Sequence, residues 1–191
     1  MVTPITTAIV LAAGGSSRMG APKALLDAGG RPLLVRHLLA LSPFFDRVAV
    51  VLGAEFERIH PFVPSEFHVI RNDRWRKGEM IDSLILALTG LDVDDGACVT
   101  PVDAPPAEPD TLRRLLAFGA ACVPCTSKGE PGHPVLIGPS EVARLRRTPA
   151  PDSLRAILAG VPKVKVEDPA LTLNLNTPEA WEEYRNRFDM P

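Results

Sequence analysis

The stretch Thr7-Ala-Ile-Val-Leu-Ala-Ala-Gly-Gly-Ser-Ser-Arg-Met-Gly-Ala-Pro-Lys23 governs the reading of this chain. From Thr7 to Ala13 it is almost wholly apolar, the composition of a central parallel strand covered on both faces. The Gly/Ser run after it is a turn, so the segment opens a βα unit. Glycines at 14 and 15 permit positive φ and close approach of another molecule, and successive N–H groups in such a turn make an anion-binding concavity. Arg18 and Lys23 add two cations, and the whole suits a polyphosphate. It is not the G-x-x-x-x-G-K-[ST] loop, because Ala24 follows Lys23, and its glycines lack the dinucleotide-binding spacing.

Outward from this segment, strand and helix signals alternate. Leucines recur at helical spacing from Leu33 to Leu41 before Pro43, Arg47 to Leu52 is a valine-rich strand, and Phe67 to Ile70 is a third strand. Ile81, Leu84, Ile85 and Leu88 mark one face of a helix between Gly78 and Gly90. Ala97 to Val102 reads as a buried strand, Leu112 to Phe118 as a helix and Ala120 to Cys125 as a strand. A loop rich in Gly and Pro (127–133) precedes a short strand, Val135 to Ile137, and two short helices around Val142 and Leu154. Val164 to Val166 and Thr172 to Leu175 read as strands. A helix from Pro178 carries Trp181, Tyr184 and Phe188 on one face. The alternation predicts an α/β fold, a mostly parallel, doubly wound, Rossmann-like sheet in a three-layer sandwich, with residues 1–191 as one domain.

Composition narrows the function. The chain has 191 residues, 46% hydrophobic and 23% charged, a globular balance. A net charge of -2 argues against nucleic acid as a partner but leaves room for a local basic pocket. No apolar run reaches the roughly eighteen residues of a membrane span, and no signal-type segment opens the chain, so the expected compartment is the cytoplasm. Three cysteines fit a reducing environment; Cys122 and Cys125 form a C-x-x-C pair without the second pair a zinc site needs, and a buried strand is their expected place.

The opening string Leu11-Ala-Ala-Gly-Gly-Ser-Ser-Arg-Met-Gly-Ala-Pro-Lys23 resembles the first motif of the nucleotidyltransferases that build molybdenum cofactor dinucleotides, and more specifically their cytidylyltransferase branch. The guanylyltransferase branch typically has Gly where Ala13 stands and Asp where Pro22 stands. The resemblance implies a fold of the nucleotide-diphospho-sugar transferase type. It also implies that the backbone of Leu11, Ala12, Ala13 and Gly14, with Gly15 and Ser16, cradles the nucleotide, while Arg18 and Lys23 grip its phosphates.

Asp103, in Thr100-Pro-Val-Asp-Ala-Pro105, follows a buried strand and should stand at the carboxyl edge of the sheet, where α/β ligands bind. Such a carboxylate suits Mg²⁺, which takes few protein oxygens and completes its shell with phosphates and water. Similar family members have Gly-Asp-Met-Pro here, so Val102 and Ala104 depart from the pattern while Asp103 and Pro105 keep it. A cap on the helix beginning near Glu108 is the alternative role for Asp103. The resemblance places a second metal ligand before Thr-Pro-Glu, which is Asn176 here, with Asn174 close behind; Asn176 or Thr177 also suits a cap for the last helix.

By the same resemblance Asn72 and Ser83 touch the base and ribose, and His133, in Gly132-His-Pro-Val-Leu136, serves the acceptor. A turn residue, a helix-surface serine and a loop histidine are the plain alternatives. His37, His60 and His68 show no metal-ligand spacing. The implied activity is Mg²⁺-dependent transfer of a nucleotidyl group, CMP from CTP first, to a phosphorylated acceptor, molybdopterin first, with release of pyrophosphate and a molybdoenzyme as downstream partner. The alternatives are GTP as donor, a sugar phosphate or choline phosphate as acceptor, or a non-catalytic module that carries nucleotide or cofactor.

Overall fold

A computed structural model of the protein describes residues 4–16, 19–147 and 153–187. The opening apolar run forms β1 (Thr7–Ala12), buried along its whole length. In chain order follow α1 (Leu33–Leu41), β2 (Arg47–Leu52), α2 (Phe56–Ile59), β3 (His68–Arg71), α3 (Met80–Gly90), β4 (Ala97–Pro101) and α4 (Pro109–Phe118). The rest comprises β5 (Val123–Cys125), β6 (Val135–Ile137), α5 (Pro139–Arg147), α6 (Leu154–Ile157), β7 (Lys163–Lys165) and α7 (Pro178–Arg187).

Five strands form the main sheet in the order β3-β2-β1-β4-β6, parallel except for β6, which runs against β4. β5 and β7 make a small parallel pair, joined to β6 through reciprocal backbone bonds between Cys122 and Leu136. Alternation along β1 sorts the layers. Ala8, Val10 and Ala12 face a core with Leu34 and Leu38 of α1 and Leu112 and Leu115 of α4, whereas Ile9 and Leu11 face Leu84 and Leu88 of α3 and Val142 and Leu145 of α5. Helices thus cover both faces, which is why β1 tolerates no polar alternation. The three-layer, mostly parallel architecture expected from the alternating pattern is the one observed.

Chain order reverses at β1: β2 and β3 lie on one side of it and β4 on the other. Leu11 pairs with both Val51 and Pro101, and Val102 N–H donates to the Leu11 carbonyl at 3.0 Å. The loops after β1 and β4 therefore leave the sheet side by side, at the crevice where ligands of open α/β sheets bind.

Thr172 to Leu175 does not form the expected strand. The segment is irregular, with Leu175 buried beside Met19, Leu33, Trp181 and Tyr184, and its leucines fill a third core cluster instead of pairing with a neighbour. Cys122 and Cys125 are buried free thiols in and beside β5, as a strand reading requires. Phe188 lies outside the described residues.

Candidate active site

The turn after β1 is organised by Ser16, whose φ is 48° and whose Oγ accepts the Lys23 backbone N–H at 3.0 Å. Its carbonyl accepts the Met19 N–H, also at 3.0 Å, so one residue closes the loop at both ends. Pro22 then leads into a single 3₁₀ turn, Lys23–Leu25, which points the Lys23 side chain back across the sheet edge. Its ammonium donates to Asp103 Oδ2 at 3.1 Å and to Asn176 Oδ1.

Asp103 reaches that point on the turn after β4, and Asn176 on the irregular segment before α7. Two bonds fix them: Leu175 N–H donates to the Asp103 carbonyl at 2.7 Å, and His37 of α1 donates from Nε2 to the Ala104 carbonyl, 2.9 Å away. Burial pushes His37 down to about 4 against the upward pull of its bond to Ala104, so near neutrality the ring is uncharged and its remaining N–H makes this bond. The helix-cap alternative for Asp103 does not hold, since α4 begins after Glu108 with no side-chain cap bond.

Leu11, Ala12, Ala13, Gly14, Ser16, Lys23, Ser83 and Asp103 line one cavity of about 210 Å³, together with Trp75 and Gly78 to Met80. Gly14 presents open space, so its backbone is accessible from the cavity side. Gly15 stands against Trp75: a Cβ there would lie 3.1 Å from the indole ring. Gly53, after β2, is tighter still, since a Cβ would come within 2.7 Å of Trp75 Cβ and 2.8 Å of the Ala13 carbonyl. Trp75 therefore braces the loops after β1 and β2 as it walls the cavity.

Asn72 is buried behind Ser83 and donates to Ser83 Oγ at 2.9 Å, while its Oδ1 accepts the Arg74 N–H at 2.9 Å. It orients Ser83 and shapes the loop to Trp75 without lining the cavity. The first turn of α3 meets the cavity through Met80 and Ser83, with Glu79 and Asp82 closing a reciprocal capping box.

Beyond Met80 lies a larger cavity of about 650 Å³, walled by Val123, Val135, Leu154, Leu158 and Val161, with His133, Arg155 and Lys163 on its border. His133 Nδ1 is buried without a hydrogen-bond partner. Burial holds His133 below the usual histidine value against the upward pull of the Asp103 charge. Gly132 is required beside it, because a Cβ would fall 2.3 Å from the Leu171 carbonyl.

Leu11 to Gly14, Ser16, Lys23, Ser83 and Asp103 are thus brought together, Asn176 joins them through Lys23, His133 borders the adjoining cavity, and Arg18 lies outside the described residues. His60 and His68 are exposed, and His37 has a core role. Sequence reasoning passed over Trp75 and Met80, and it set aside a metal role for His37 without finding its bond to Ala104. An aromatic residue in a polar loop just after a strand was the signal for Trp75; nothing local marks His37, whose partner is 67 positions away.

The model of the MobA-like NTP transferase domain matches residues 8–167, most of the chain and every strand of the sheet except the first residue of β1. The chain belongs to this family. This member is 31% identical over 209 residues to the molybdenum cofactor guanylyltransferase of Sinorhizobium fredii, covering 95% of this chain and 93% of that one. It is 25% identical over 186 residues to the molybdenum cofactor cytidylyltransferase of Escherichia coli, covering 94% and 95%. A 2-C-methyl-D-erythritol 4-phosphate cytidylyltransferase of Frankia casuarinae is 33% identical over 172 residues, 82% of this chain. The chain spans only 60% of that relative's length, and 23% of the equivalent protein of Deinococcus radiodurans. Among solved structures, Rv0371c of Mycobacterium tuberculosis superimposes with a TM-score of 0.79 at 24% identity, over 96% of this chain and 99% of that one. Rv0371c has also been solved in complex with manganese. Among the described residues, no helix of this family member is long and apolar enough to cross a membrane.

Proposed function

We propose that this protein is a divalent-metal-dependent nucleotidyltransferase that moves a nucleoside monophosphate, CMP from CTP first, onto a small phosphorylated acceptor, molybdopterin first. The observation that carries the proposal is the meeting of Lys23, Asp103 and Asn176 at a cavity floored by the backbone of Leu11 to Gly14. A terminal phosphate oxygen of the acceptor attacks the α-phosphorus, a new P–O bond forms, the bond to the bridging oxygen breaks, and pyrophosphate leaves. The catalytic work is positioning and charge stabilisation. Backbone amides of the loop after β1 hold the nucleotide, Lys23 offsets charge on the transferred phosphoryl group, and Ser83, set by Asn72, fixes the ribose end. Arg18 is assigned to the outer phosphates.

The donor set fits Mg²⁺: a carboxylate and an amide oxygen are hard ligands, few in number, and already gather around a cation, the Lys23 ammonium. Asp103 and Asn176 would hold the ion, which supplies charge neutralisation at the phosphates. A manganese complex of the structurally similar Rv0371c supports a divalent ion in this fold.

His133 and the cavity beyond Met80 are assigned to the acceptor, whose apolar walls suit a flat or weakly polar body and whose Arg155 and Lys163 suit anionic groups. Ala13 and Pro22 favour CTP, and the Sinorhizobium fredii relative favours GTP as the second reading. Pyrophosphate release with each of the four ribonucleoside triphosphates, with and without molybdopterin, tests the proposal with Asp103→Ala as control. Release with CTP and molybdopterin, lost in the control, is expected. Release with GTP alone moves the donor assignment, and silence with all four despite nucleotide binding refutes transfer to molybdopterin.

A further inference from the structure

The Lys23 ammonium sits on the same two oxygens assigned above to the metal, Asp103 Oδ2 and Asn176 Oδ1. Between them these ligands carry one negative charge, and the ammonium takes it up. The lysine and aspartate side chains are only 14% and 28% exposed, so little water stands by to screen a second cation brought to the same place. Among the described residues no group of three Asp, Glu, His or Cys side chains gathers anywhere to hold a metal, so no acidic cluster draws an ion past the lysine. The Lys23 backbone is pinned through its N–H to Ser16 Oγ at 3.0 Å, while four methylenes leave the ammonium free to swing.

We propose that Lys23 is a placeholder: in the nucleotide-free protein its ammonium and a divalent cation exclude each other from the Asp103–Asn176 pair. The ion then enters with the triphosphate, whose negative charge draws the ammonium off the carboxylate and onto phosphate. The proposal rests on the metal–nucleotide reading of this cavity. It makes Lys23 a positioning residue of the free protein as well as a phosphate ligand, and it fixes an order, in which metal bound to nucleotide is the species captured and free metal is not. No cation is left without an anion at either stage: one ammonium on one carboxylate before binding, and afterwards a metal that arrives with an anion whose charge exceeds its own, so that the displaced ammonium has phosphate to pair with.

The test is Mn²⁺ binding to the nucleotide-free protein, read from the loss of the free-ion electron paramagnetic resonance signal, for wild type, Lys23→Met, Lys23→Gln and Lys23→Arg. The Met and Gln variants should bind one Mn²⁺ at least about tenfold more tightly than wild type, because a positive charge has been removed from the ligand pair. The Arg variant, which keeps that charge, should stay as weak as wild type. Adding Asp103→Asn to Lys23→Met should abolish the gained site. Met and Gln variants that are folded by circular dichroism yet bind no tighter than wild type overturn the proposal, as does a gained site that survives Asp103→Asn. Mn²⁺–CTP binding to wild type and to Asp103→Asn is measured in the same titration. If that substitution leaves it unchanged, the metal–nucleotide reading falls, whatever the lysine variants do.

Discussion

The cavity at the end of β1 is floored by main chain, with Leu11 to Gly14 and Ser16 close together in sequence, whereas the cavity beyond Met80 is walled by side chains drawn from β5, β6, α6 and β7. Backbone amides offer every polyphosphate the same donors, so the first cavity is suited to a general cofactor-like substrate. Side-chain walls change with each substitution, so under the proposed function the second is where a particular acceptor would be chosen. One residue, Met80, belongs to both. Under that proposal, chemistry held in common is separated from specificity that varies, and the relatives, whose names differ in donor base and in acceptor, are what such a separation would produce.

This contrast can be broken from either side. The largest effect expected is on the shared side: Asp103→Ala should lower kcat by about a hundredfold to ten-thousandfold with the protein still folded, a loss in the range seen when one electrostatic group is removed from a transition state. Near-normal turnover in that variant would move the chemistry elsewhere.

Next in size is the pH dependence set by His37. Its folded value of about 4 lies below the usual 6.5, so the unfolded chain binds a proton that the folded one refuses. The stabilisation is complete above pH 6.5 and fades as pH falls towards 4, by roughly 3 kcal/mol over that window. His133, shifted in the same direction by burial, adds to the same slope. Denaturant unfolding across this range should show His37→Gln flattening the curve while keeping a side-chain donor for Ala104; an unchanged slope would contradict the assignment.

Third, Gly53→Ala should cost about 1–3 kcal/mol of stability, because its Cβ overlaps Trp75 and the Ala13 carbonyl, neither of which is a freely moving side-chain end. Trp75 fluorescence should shift in the same variant. The smallest effect sharpens the comparison: Arg155→Ala should raise the acceptor KM several-fold, about 1 kcal/mol, and leave the KM for the triphosphate unchanged. Equal changes in both would merge the two cavities into one functional unit.

Much of this fold is written locally. Helix α1 and β2 are observed over the same residues that their leucine and valine patterns mark, because both bury continuous apolar faces. The failure at Thr172 to Leu175 has the opposite cause: alternating leucines look like a strand, but here they face a cluster assembled from Met19, Leu33 and Trp181, and among the described residues no strand pairs with them, the Leu173 and Leu175 N–H groups going to the Ala170 and Asp103 carbonyls instead. The candidate site divides in the same way. The phosphate-type loop is legible because its glycines, Ser16 and Lys23 are neighbours in sequence. Trp75 against Gly53, His37 under Ala104, and Asn176 on Lys23 are contacts between distant segments, and no local pattern encodes them.

If Lys23 and Asp103 act as one unit on the transferred phosphoryl group, a double-mutant cycle on kcat will reveal it. With the active triphosphate and acceptor, Lys23→Met, Asp103→Asn and the pair would be compared. Each single change should remove most of the activity, and the double variant should be little worse than the poorer single one, since either loss disables the same step. Losses that multiply fully, or single variants that keep most of their turnover, would contradict it.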